Sequence, residues 1–141
     1  MQTSWSRSFD QEIKVNSAML WKVLSDVSTW KDWNPGVQDI TIDGPFETGV
    51  WFSMVLPDNE VIRSQLVDVQ SPRSFVDETK IDETVIQVKH SIEPLTEERC
   101  CVTFAVKAEG PEAHPIGEGA SGDFPEVLAS LACYLEEKDK R

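Results

Sequence analysis

The last nineteen residues, DFPEVLASLACYLEEKDKR, are the most strongly patterned stretch of the chain. Phe124, Val127, Leu128, Leu131 and Leu135 recur at three- and four-residue spacing, the stripe of an amphipathic helix. Asp123 and Glu126 form a capping box around Phe124-Pro125, and Lys138, Lys140 and Arg141 suit the negative end of the helix dipole. Such a helix must bury its stripe. Nearly everything before it reads as strand, so its partner is a sheet. A sheet curled around a helix usually leaves a hollow between them.

Trp5, Arg7, Phe9, Gln11, Ile13 and Val15 alternate with Ser, Asp, Glu and Lys, as in a half-buried strand. Asn16 or Ser17 then caps a helix carrying Leu20, Val23, Leu24 and Val27. Ser28 caps a second short turn that holds Trp30 and Trp33 on one side, and Asn34-Pro35-Gly36 stops it. Further strands are expected over residues 37–43, 50–56, 61–69, 74–79, 84–92 and 100–108, separated by turns such as Gly44-Pro45 and Pro57-Asp58-Asn59. The connections are too short for parallel crossovers, so the strands form an antiparallel meander. Residues 109–122, EGPEAHPIGEGASG, are rich in Gly and Pro and are expected to form one long irregular loop, with 110–122 a mobile gate over the hollow. In VDETKIDETV the recurring Asp-Glu-Thr reads as two strand ends around a turn, with its acidic side chains in solvent.

A chain of 141 residues is expected to be one domain, residues 1–141, with a core of its own. Its net charge of −12 opposes binding to nucleic acid or an anionic membrane, both of which are held through Lys and Arg. Cys100, Cys101 and Cys133 are odd in number and two are adjacent, which is no disulfide framework. Reduced thiols, the lack of an apolar leader in residues 1–15 and the lack of a membrane-length apolar run point to a cytoplasmic protein without membrane insertion. The sequence does not fix an oligomeric state.

In this order the elements resemble the helix-grip superfamily. It includes polyketide cyclase/dehydrase-like proteins, START lipid-transfer domains, pollen-allergen-like plant proteins and chaperone-activator-like domains (SRPBCC). The resemblance is carried by IKVNSAMLWKVLSDVSTWKDWNPGV, with Trp21, Leu24, Asp26, Trp30, Trp33 and Pro35 in the family's pattern, and by VDVQSPRSFVDET, HSIEPLTEERCCVTFAV and FPEVLASLACYLEE. It implies an α+β fold: a curved seven-stranded antiparallel sheet around the C-terminal helix, two short helices after the first strand, and a cavity. It does not imply one chemistry, because function does not follow from fold.

His90 is the sharpest candidate for chemistry. It shares a strand face with Ile86, Val88 and Ile92, where a cavity-lining imidazole can orient a ligand hydroxyl or act as a general base. The structural alternative is a buried histidine satisfied by one hydrogen bond. Arg7 lies on the apolar face of its strand, and Arg63 alternates with Val61 and Val67. An interior guanidinium needs an acid: a ligand carboxylate or phosphate, or an acid of the protein such as Glu47 or Glu93. Ile62 and Leu66 lie on the other side of the Arg63 strand, which leaves its facing open. The many aromatics are chiefly core fillers; Trp33, Trp51, Phe104 and Phe124 are the candidates for ligand contact, Trp33 and Phe124 because they stand at helix ends beside loops.

No catalytic signature motif is present, and no cofactor or metal is expected. The leading expectation is a binding or carrier protein for a small apolar molecule. The alternative is a cyclase- or dehydratase-like lyase or isomerase using His90. A third is an interaction module of the chaperone-activator type, using the outer face of the sheet.

Overall fold

The computed structural model describes residues 3–139. The chain runs β1 (Thr3–Ile13), α1 (Ser17–Leu24), a 3-10 turn (Val27–Thr29) and α2 (Trp30–Trp33). Six strands follow: β2 (Asp39–Ile42), β3 (Trp51–Val55), β4 (Val61–Gln70), β5 (Ser74–Ile81), β6 (Thr84–Thr96) and β7 (Arg99–Gly110). Helices α3 (Ala113–Ser121) and α4 (Phe124–Asp139) close it.

The seven strands form one antiparallel sheet in the order β1-β7-β6-β5-β4-β3-β2. The first strand therefore lies at one edge and the second at the other. The segment holding α1 and α2 crosses the width of the sheet between them. Of the two capping candidates, Asn16 and Ser17, it is Asn16 that caps α1, its Oδ1 accepting from the Met19 amide at 2.8 Å. The whole is the helix-grip architecture, with the long C-terminal helix laid over the inner face.

That inner face is set by register. Ile13, Phe104, Val106, Val88, Phe75 and Leu66 point toward the helices, and α4 seals one end with Leu128, Leu131 and Leu135, which are 1%, 0% and 0% exposed. The Lys14 amide donates to Glu136 Oε2 at 3.2 Å, which fixes the end of α4 over the end of β1. Cys100 and Cys101 take opposite faces as neighbours on a strand must, the first buried and the second half-buried.

Residues 109–122 are not an irregular loop. β7 runs on to Gly110, and α3 occupies Ala113–Ser121. Four glycines lower the helix propensity of this stretch enough to hide it. Pro115 falls in the first turn, where a backbone N–H has no helical acceptor in any case. Tertiary packing decides the matter. A Cβ on Gly117 would overlap the Trp5 ring, so the bare backbone lets α3 lie flat on β1. Gly110 has φ +137°, and a Cβ there would come 2.7 Å from the Glu83 carbonyl in the β5–β6 turn. The Glu112 amide then donates to Thr84 Oγ1 at 3.2 Å, tying the start of α3 to β6.

Candidate functional site

Between α4 and the middle of the sheet lies a cavity of about 1040 Å³. Its roof comes from α2, α3 and the first turn of α4, and its floor from β3 to β7. The walls are mostly apolar: Leu24, Val37, Met54, Ile62, Ile86 and Val88, with the rings of Trp30, Trp33, Phe75, Phe104 and Phe124. The two tryptophans present apolar faces because their N–H groups are engaged elsewhere. Trp30 Nε1 donates to the Leu24 carbonyl at 3.0 Å, and Trp33 Nε1 to Thr29 Oγ1 at 3.2 Å.

His90 lies on this floor, in the cross-strand row Phe104–His90–Phe75. Its ring stacks on Phe75, centroids 4.1 Å apart and 10° from parallel, and meets Phe104 edge-on at 4.4 Å. Two rings thus fix the imidazole. It is 8% exposed, and its buried Nδ1 has no hydrogen-bond partner. Burial pushes the imidazole down to about 3, against a smaller opposing pull from the backbone of Phe75 and Val88. The ring is therefore neutral at physiological pH.

One row away is Asp77, between Leu66 of β4 and Val88 of β6. Diagonal neighbours on adjacent strands come within reach of one another, and His90 Nε2 stands 3.9 Å from Asp77 Oδ2. That is too long for a hydrogen bond, and a neutral ring makes no ion pair. Asp77 is 9% exposed, and burial pushes its carboxyl up to about 7. Burial thus drives the two groups in opposite directions in pKa and toward the same neutral state. Thr79 lines the cavity on the same strand, its hydroxyl 2.6 Å from that of Ser64.

Asp77 is the residue that sequence reasoning missed, and the expectation that the acidic side chains of VDETKIDETV lie in solvent fails there. Asp82 and Glu83, in the turn, are exposed as expected. The available signal was alternation with Phe75 and Thr79, the same device that placed His90 with Val88.

Of the other expected site residues, Trp33, Phe104 and Phe124 line the cavity with His90, whereas Arg7, Arg63 and Trp51 do not. Arg63 lies on the outer face, donating to Asp43 Oδ2 at 3.0 Å and Ser53 Oγ at 2.9 Å. A bulge between Leu66 and Asp68 explains why its facing was hard to read. Before it the even residues of β4 face inward, and after it Val69 does, so strict alternation fails across it. Trp51 is 40% exposed on that outer face, beneath the Arg63 guanidinium at 5.5 Å. Arg7 pairs with Val106 and so starts from the inner face. β1 is an edge strand, however, and the long side chain reaches solvent past Phe9, its guanidinium 5.0 Å from that ring. His114 is an exposed residue of α3, paired with Glu118 at 2.6 Å. Among the described residues no cluster of His, Cys, Asp or Glu has the grouping to hold a metal ion.

Residues 4–136 match the family described as polyketide cyclase/dehydrase and lipid transport. In structure the chain is similar to the Zhui aromatase/cyclase of a Streptomyces species, at TM-score 0.82 and 12% identity over 98% of this chain and 97% of that one. A point mutant of Thalictrum flavum norcoclaurine synthase, in complex with a transition-state analogue, gives TM-score 0.78 at 13% identity over 99% of each chain. A START superfamily protein from Mycobacterium smegmatis gives 0.74 at 16% identity over 94% of this chain and 97% of that one. At such identities the likeness establishes the fold and carries no residue roles. No curated protein matches the sequence.

Proposed function

Because the chain belongs to the polyketide cyclase/dehydrase and lipid-transport family, we propose that it is a binding or carrier protein for a small, largely apolar molecule. The single observation that carries this reading is the cavity of about 1040 Å³, apolar in its walls and bearing a few convergent polar groups on its floor. That is the usual composition of a small-molecule site. The proposed contacts are His90, Trp33, Phe104 and Phe124, with Asp77 and Thr79 added by the geometry. Arg7, Arg63 and Trp51 drop out. The proposed location is the cytoplasm, which suits three free cysteines. Among the described residues no helix is long and apolar enough to cross a membrane.

Native mass spectrometry of the purified protein tests the binding reading. The expected result is a mass increment of a few hundred daltons that disappears on denaturation. Its absence, together with no saturable uptake of apolar probes, contradicts it.

The Asp77–His90 pair supports a second reading, a cyclase- or dehydratase-like enzyme. Neutral His90 accepts a proton from the carbon next to a carbonyl, protonated Asp77 gives its proton to the departing hydroxyl, releasing water, and the imidazolium, made acidic by burial, then passes its proton to the Asp77 carboxylate, which returns both groups to their neutral forms. Elimination from the β-hydroxyketone of benzaldehyde and acetone, followed by the absorbance of the enone, is the assay. Turnover that is lost in both His90→Phe and Asp77→Asn supports this reading; no turnover above buffer by the wild type contradicts it.

A further inference from the structure

Among the described residues the charges lining the cavity have one sign. No Lys or Arg of the described residues lines it, while Glu60, Asp77, Glu118, Asp123 and Glu126 all do. The four glutamates and aspartates of the rim are exposed and, taken alone, are ordinary solvated surface. Asp77 differs from them. It is nine-tenths buried between two aliphatic residues, opens into the cavity, and has neutral His90 3.9 Å away. Several cations are placed elsewhere: Arg63 on Asp43, Arg99 on Glu12, Arg7 at the β1 edge beside Phe9, and Lys89 and Lys107 along a separate groove on the sheet. An unpaired carboxyl in an apolar row costs stability unless something else supplies its partner.

We propose that the cavity selects ligands whose apolar body carries a protonated amine, with the ammonium group against Asp77 and the body among Trp30, Trp33, Phe75 and Phe104. This rests on the binding reading above and adds the charge of the ligand. An ammonium brings donors only, and the floor of the site presents an acceptor carboxylate and, in the tautomer with its Nε2 lone pair free, an acceptor imidazole. Two acceptors 3.9 Å apart can both be reached by one nitrogen lying about 2.8 Å from each. The ammonium restores the ionised form of Asp77 that burial disfavours. The carboxylates at the rim raise the local concentration of cations and repel carboxylates and phosphates, including phosphate-bearing carrier arms.

Quenching of tryptophan fluorescence by three probes with one ring system tests this: naphthylethylamine, naphthylethanol and naphthylacetate, at neutral pH and near-physiological salt. The amine is expected to bind the wild type about tenfold or more tighter than the alcohol, with the acetate weakest. In Asp77→Asn the amine should lose its advantage over the alcohol. Asp77→Ser serves as the second variant if the amide does not fold. Equal binding of amine and alcohol, or tighter binding of the acetate, overturns the charge selection and leaves the binding reading standing. An amine preference that survives in the Asp77 variants assigns it to the rim and overturns the role of Asp77. Failure of all three probes to bind removes the binding reading, and this proposal with it.

Discussion

The first turn of α4 and the rest of that helix cover the same sheet in different ways. From Leu128 onward the helix presents Leu128, Leu131 and Leu135 to an end of the sheet where Ile13, Val15, Cys100 and Val102 are all 0–1% exposed. Its first turn presents Phe124 and Val127 to the cavity, above His90 and Asp77. One continuous stripe therefore does two jobs. Beneath the longer part the facing side chains are aliphatic and close-packed, as interiors generally are. Beneath the other the strands carry polar groups on the same inner face, and the roof comes from α2 and α3. What separates core from cavity is the surface opposite the helix, not the helix.

The largest expected contrast is in stability. Leu131→Ala should cost about 2–5 kcal/mol, because a fully buried leucine leaves a void in a packed region. Ile62→Ala, which enlarges a space already open, should cost about 1 kcal/mol or less by urea denaturation. Equal losses would mean that the two regions are packed alike.

Next in size is Asp77. Its carboxyl is raised from 3.8 to about 7 in the folded state, so the unfolded chain ionises first as pH rises. Stability associated with this group is present at low pH and is lost as pH climbs from about 4 through about 7. His90 does the reverse. Its pKa falls from 6.5 to about 3, so its share is present above about pH 6.5 and is lost as pH falls toward 3. In the wild type the two trends oppose each other across the weakly acidic range. Asp77→Asn should stabilise the protein above pH 7, by at most on the order of 4 kcal/mol, and leave a stability that rises with pH. His90→Phe should leave a stability that falls with pH. Denaturant titrations over that range read both slopes, and a flat profile for both variants would show that neither group is perturbed.

Smaller effects are expected at the seam between α3 and β1. Gly117→Ala forces a methyl into the Trp5 ring and should cost about 1–3 kcal/mol, read from the thermal midpoint. A neutral result would show that α3 does not rest on β1. His90→Phe should be the mildest, within about 1 kcal/mol at neutral pH, since a ring that stacks on Phe75 is replaced by another and an unpartnered nitrogen is removed.

The order of elements was legible because Gly, Pro and Asn-rich turns punctuate the chain at short intervals, and because the α4 stripe is unbroken. The floor of the site was half legible. His90 could be placed by three aliphatics alternating with it. Asp77 obeys the same alternation, but its local sequence reads as a solvated strand end, and only pairing with β4 and β6 shows it to be enclosed. Arg63 could not be placed because a bulge resets the period of β4, a feature of pairing that its own strand does not announce. α3 was hidden because its stability comes from contact with Trp5 rather than from its residues' propensities.

The division of α4 into a ligand-facing first turn and a packed remainder is tested most directly by titrating the protein with N-phenylnaphthylamine, an uncharged fluorescent probe, alongside an Ile62→Trp variant that fills the cavity. The expected result is one saturable site per wild-type chain, lost in Ile62→Trp while its thermal midpoint stays within a few degrees of wild type. No saturable site in the wild type, or undiminished binding with the cavity filled, would contradict it.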